Sequence, residues 1–160
     1  GFDAAFGALE SIASHLLHEP GGLRNLFETR TFVESGLVRE AAKSATKEDL
    51  AALKDALAAN EAAIGDSEAF FETDIRFHAL LYAVPRNPIL PSIHKAYTGW
   101  LAPHWSKMPR LPGRNRTNYE AHRKIYEAIL MRDPDAAEQS LRDHLKDAWE
   151  QVHKTLETYK

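Results

Sequence analysis

The chain has 160 residues, 44% hydrophobic and 27% charged, enough to bury one core and too apolar for intrinsic disorder. Its 20 Lys and Arg against 23 Asp and Glu leave a formal charge of −3, so it has no general electrostatic hold on phosphate backbones and is not expected to grip DNA by itself. With no cysteine, disulfides and thiolate metal sites are excluded, which leaves His, Asp and Glu as the strong ligands for any metal.

No apolar run approaches the ~20 residues of a membrane span, and the opening stretch GFDAAFGALE has no basic region ahead of an apolar one. No membrane association and a reducing cytoplasm are therefore expected. The first residue is Gly1 rather than Met, so the chain reads as part of a longer protein.

Strand signals are nearly absent, and apolar residues recur at spacings of three and four between helix caps. The first helix is predicted over residues 3–17, ending before the Pro20-Gly21-Gly22 break, and the second over residues 23–43. Thr46 with Asp49 spells a capping box that opens a third helix. Gly65 closes it, and Asp66 or Ser67 starts a fourth. Asn87-Pro88 pairs a cap with a proline at the first helical position and begins the fifth. Residues 108–116, with two prolines and a glycine, are predicted as a loop, after which Thr117 and Glu120 form a second capping box for the sixth. Asp133-Pro134 repeats the cap-plus-proline device before a last helix running towards Lys160. Such helices with short connections predict an all-α fold, an antiparallel bundle of six to seven helices in one domain over residues 1–160.

Polar residues interrupt the apolar stripes. In the fourth helix Phe70, Phe71, Asp74, Phe77, His78 and Leu81 share a face, since residues four apart stand one above the other. His122 lies in the stripe Tyr119, Ile125, Tyr126, Ile129, and His144 in the stripe Leu141, Leu145, Ala148, Val152. A lone histidine on such a face is ordinarily a core residue with one hydrogen-bond partner. A carboxylate and three imidazoles in one small core are costly together, and a divalent cation satisfies them all. Asp74, His78, His122 and His144 are thus candidate ligands for Zn²⁺, or for Ni²⁺, Mn²⁺ or Fe²⁺ with added water. His15, His18, His94, His104 and His153 sit less centrally. Glu150-x-x-His153 is half of a di-iron signature that occurs here only once. Arg30 in the second helix either binds a carboxylate ligand bidentately from a cavity wall or forms a surface ion pair with Glu34. Tyr97 and Trp100 of the fifth helix are candidate ligand contacts as well as ordinary core residues.

Phe27-Glu28-x-Arg30-x-x-x-Glu34, Asp74-x-x-x-His78, Asn87-x-x-Leu90, His122 with Ala128-Ile129, Asp133-x-x-x-Ala137 and His144-Leu145, in this order and with a 22-residue step from His122 to His144, resemble the FCD domain. That is the C-terminal effector domain of the FadR subfamily of GntR-type transcription regulators, and the resemblance runs from about Leu23 to Leu156. It implies a helical bundle whose interior holds a metal on residues matching Asp74, His78, His122 and His144. It also implies an organic-acid or sugar-acid effector beside the metal with Arg30 assisting, and a homodimer whose geometry moves an N-terminal winged helix-turn-helix on or off operator DNA. That DNA-binding module has no counterpart in this chain. The function expected is effector sensing and not catalysis. The alternatives are a metalloenzyme, with Glu72 or Glu120 as general base, and a metal-free structural bundle.

Overall fold

A computed structural model describes residues 1–105, 108 and 112–158. Among the described residues it is helical with no strand: α1 (Phe2–Leu17), α2 (Gly22–Ser44), α3 (Lys47–Ala62), α4 (Ser67–Ala83), α5 (Ile89–Trp105), α6 (Pro112–Leu130) and α7 (Pro134–Thr158). No described helix is long and apolar enough to cross a membrane.

The cap chemistry accounts for most boundaries. Thr46 Oγ1 accepts from the Asp49 amide while Asp49 accepts from the Thr46 amide, the reciprocal box that satisfies two orphan donors. Asp66 and Asp133 accept from the amides of Ala69 and Ala136 at the starts of α4 and α7, and Asn87 accepts from the amide of Ile89 ahead of α5. Between α1 and α2, Gly21 has a φ of 78°. A Cβ on Gly22 would collide with the backbone of Leu16 and Leu17, so this tight turn requires glycine.

One expectation is corrected. α6 begins at Pro112, inside the segment predicted as loop, because proline is well tolerated in the first turn of a helix, where its missing N–H is not needed. Thr117 therefore lies within α6 and donates to the Gly113 carbonyl, while Glu120 pairs with Arg123 and no capping box forms. Residues 109–111 of that predicted loop, and Lys160 at the end of the predicted last helix, lie outside the described residues.

α7 lies along α2 and α6, α3 along α4, and α5 against α4, with α1 touching mainly α2. One apolar core joins Val38, Leu53, Phe77, Leu81, Ile125 and Leu141, and a second joins Leu26, Phe27, Tyr82, Tyr97, Leu101 and Val152. Helices α2, α4 and α7 contribute to both, and with α6 they carry most of the buried polar residues, Asn60 of α3 and His94 of α5 being the others among the described residues.

Candidate metal and effector site

Asp74 and His78 of α4, His122 of α6 and His144 of α7 converge, and all four are buried. Asp74 Oδ1 lies 3.4 Å from His78 Nε2 and 3.1 Å from His122 Nε2, and the two Nε2 atoms are 3.2 Å apart. The His144 ring stacks on His78 with centroids 5.4 Å apart and meets His122 edge-on at 4.7 Å. One nitrogen of each histidine falls within 4.8 Å of the others. Nitrogen ligands held at about 2.0–2.1 Å from a tetrahedral zinc stand roughly 3.3 Å from one another, so the Asp74, His78 and His122 atoms already have the separations of a coordination shell.

The hydrogen bonds around the cluster assign its protons. Glu34 of α2, fully buried, receives Arg30 Nε at 2.8 Å and the Tyr82 hydroxyl at 3.0 Å on Oε2. Its Oε1 stands 2.6 Å from His78 Nδ1, which must carry the proton. The Arg30 Nη2 approach to that nitrogen, at 3.4 Å, is then no hydrogen bond. On the other side, Thr73 Oγ1 gives its proton to a carbonyl of its own helix. It therefore accepts from Asn60 Nδ2 at 2.9 Å, which turns Asn60 Oδ1 towards His122 Nδ1 at 2.9 Å. His122 thus donates from Nδ1. In the neutral form of each ring the lone pair then sits on Nε2, and the two Nε2 atoms face each other and Asp74 Oδ1, a set that a shared proton or a cation bridges.

Burial raises the Asp74 carboxyl, but facing His122, His78 and His144 outweigh that and hold it well below the usual carboxylate range. Glu34 is likewise raised by burial and held well below that range by Arg30 and His78. Burial pushes His122 and His144 down, the latter strongly, while Asp74, through its charge and its hydrogen bond to His122, works in the opposite direction. Among the described residues His144 Nδ1 has no hydrogen-bond partner, so of the three histidines it alone has no anchor there.

Two cavities flank Asp74. The larger, about 180 Å³, opens from Asp74 between Phe71, Trp105, Arg114, Asn118 and Gln151. Arg114 Nη2 donates to Asp147 at 2.9 Å and to Asn118 at 3.3 Å. The smaller, about 20 Å³, is walled by Arg30, His78, His94, Tyr97 and Thr98. Arg30 and Tyr97 thus face the cluster from α2 and α5. Trp100 instead lines a separate apolar groove of about 430 Å³ with Tyr97, Leu16, Leu26 and Ile93. The Arg30–Glu34 ion pair exists but is buried, not at the surface. Glu34 appears in the sequence only as a pairing partner, and Asn60, Tyr82 and Arg114 are not singled out there. An inward stripe of Leu53, Ala56, Leu57 and Asn60 on α3 is the signal that marks Asn60.

The FCD domain family matches residues 25–147, and the chain belongs to that family. It is 38% identical over 148 residues to the HTH-type transcriptional repressor NanR of Salmonella newport, an alignment covering 89% of this chain and 56% of NanR; the chain thus spans little more than half the length of that relative. Its fold is similar to E. coli McbR/YncC, with a TM-score of 0.75, 19% identity, and coverage of 85% of this chain and 70% of that one. The metal-free FCD domain of TM0439 superposes with a TM-score of 0.69, 21% identity, and coverage of 85% and 94%.

Proposed function

We propose that this chain is the effector-sensing and dimerising domain of a cytoplasmic GntR-type transcription regulator of the FadR subfamily. In this reading residues 1–160 form a single domain, and operator DNA is contacted through a separate N-terminal winged helix-turn-helix. Asp74, His78, His122 and His144 hold a divalent transition metal, zinc first among the candidates, and the metal supplies an open position to a small carboxylate or sugar acid. The observation that carries the proposal is the convergence of Asp74 Oδ1 with the Nε2 atoms of His78 and His122, at 3.4, 3.1 and 3.2 Å from one another, beside the larger cavity.

Charge balance supports an anionic effector. Glu34 offsets Arg30 and Asp147 offsets Arg114, so a divalent cation beside Asp74 leaves one positive charge for a carboxylate to neutralise. The amides of Asn118 and Gln151 and the guanidinium of Arg114 line the route inward and suit a hydroxylated acid. Arg30 and Tyr97 bound the opposite side. Because Arg30 gives its Nε to Glu34, its part is to hold the cluster as much as to touch the effector. Trp100, facing the other groove, contributes through Tyr97, against which it packs edge-on at 5.9 Å. Sensing is favoured over hydrolysis because Glu72 is exposed, Glu120 is taken by Arg123, and neither lines a cavity beside the cluster among the described residues.

Thermal denaturation with a panel of hydroxy acids and sugar acids, run with zinc and after chelation, tests the proposal. A stabilising shift that needs zinc and shrinks in Arg114→Ala is expected. Equal shifts with and without metal would refute metal-assisted binding.

A further inference from the structure

We infer that Glu34 and Asn60 are positioning residues that fix His78 and His122 as Nδ1–H tautomers, and so set both Nε2 lone pairs towards one point before any cation arrives. Neither residue touches that point. Each acts through a histidine ring, one from α2 and one from α3.

Each Nδ1 faces an acceptor that cannot turn into a donor. Glu34 is fully buried and accepts three donors on its two oxygens, from Arg30, Tyr82 and His78. The first two have no alternative to donating, so the carboxylate stays an acceptor for His78 Nδ1–H. Asn60 is also fully buried, and its amide orientation is fixed by Thr73, whose hydroxyl proton is already committed to the backbone of α4. Free histidine prefers the opposite tautomer, with the proton on Nε2. In that form the two Nε2–H groups of His78 and His122 would oppose each other across 3.2 Å and point at Asp74, leaving no nitrogen lone pair there for a cation. A metal-ligating imidazole commonly donates its second N–H to a carboxylate or carbonyl, which fixes ring and tautomer. Here Glu34 and Asn60 occupy those two places.

The consequence for affinity rests on the proposed metal site; the tautomer assignment does not. Long-range ¹H–¹⁵N correlation spectra of the metal-free protein above neutral pH read each ring directly. His78 and His122 are expected with a protonated Nδ1 and a pyridine-like Nε2. Asn60→Ala is expected to return His122 to the Nε2–H form while His78 is unchanged, and Asn60→Asp, which keeps an acceptor, to retain Nδ1–H. A protonated Nε2 on either ring of the unsubstituted metal-free protein would overturn the inference, and needs no variant to fold. In a chelator competition with zinc, Asn60→Ala should bind about 10- to 100-fold more weakly, with Asn60→Asp recovering much of the loss. Undiminished affinity in Asn60→Ala would overturn the positioning role. Nδ1–H tautomers in a protein that takes up no zinc would support the tautomer assignment and refute the metal reading instead.

Discussion

Arg30 and Glu34, one turn apart on α2, form an ion pair that is buried on both sides, with Nε 2.8 Å from Oε2. The pair spans the gap between the helix backbone and the histidine cluster, since the same carboxylate holds His78. Removing one member of such a pair strands a charge in the interior. Arg30→Ala should therefore destabilise the metal-free protein by about 3–5 kcal/mol, read by chemical denaturation. Arg30→Lys should recover part of the loss, because a point charge replaces the planar fork. A loss below about 1 kcal/mol would be the value for a surface pair and would contradict the buried assignment.

Acid should weaken the fold through its buried histidines. Burial, with His78 adding to it, pushes His94 from the usual 6.5 down to about 4. Its ring packs against Tyr82 at 4.8 Å. A depressed histidine gives stability that is present above its unfolded pKa and lost as pH falls towards the folded one, because the unfolded chain takes up the proton first. The metal-free protein should lose stability between about pH 6.5 and 4, with His94 contributing on the order of 3 kcal/mol. Denaturation midpoints across that range should flatten in His94→Gln; an unchanged slope would count against a buried neutral His94.

At the α6–α7 turn, Arg132 has a φ of 58°, and its guanidinium reaches the carbonyls of Ala41, Ala42 and Ala45 at the end of α2. The Ala41 carbonyl already accepts the Ala45 amide, whereas those of Ala42 and Ala45 are among the acceptors a helix end leaves without a backbone partner. Arg132→Ala should cost about 1–2 kcal/mol. Arg132→Gly should lose the same bonds yet be more stable than the alanine variant by about 1 kcal/mol, since glycine takes the left-handed conformation without strain. Melting temperatures in the reverse order would contradict this account of the turn.

The helices were legible because their caps are local: Thr46 with Asp49, Asp66 and Asp133 need only three residues to declare a start. Pro112 defeats the same reading, because a proline looks alike in a loop and in a first helical turn. Asp74, His78, His122 and His144 stood out as polar breaks in apolar stripes, although periodicity places them on faces and cannot bring three helices together. Asn60 and Tyr82 were missed for a different reason. Their roles come from contacts 62 and 48 residues away in sequence, with His122 and Glu34; a tyrosine is ordinary in an apolar stripe, and Asn60 is a polar break in the α3 stripe whose partner the sequence does not name. The two outcomes weighed for Arg30 turn out to share one geometry, since it pairs with Glu34 and lines a cavity at once.

The central claim is that Asp74, His78, His122 and His144 hold one divalent cation. Elemental analysis of the purified protein beside its His122→Ala/His144→Ala variant, each after loading and desalting, tests it most directly. The account predicts one transition metal per chain, absent from a variant that remains helical by circular dichroism. No bound metal in the unsubstituted protein after loading, or equal metal in both, would contradict it.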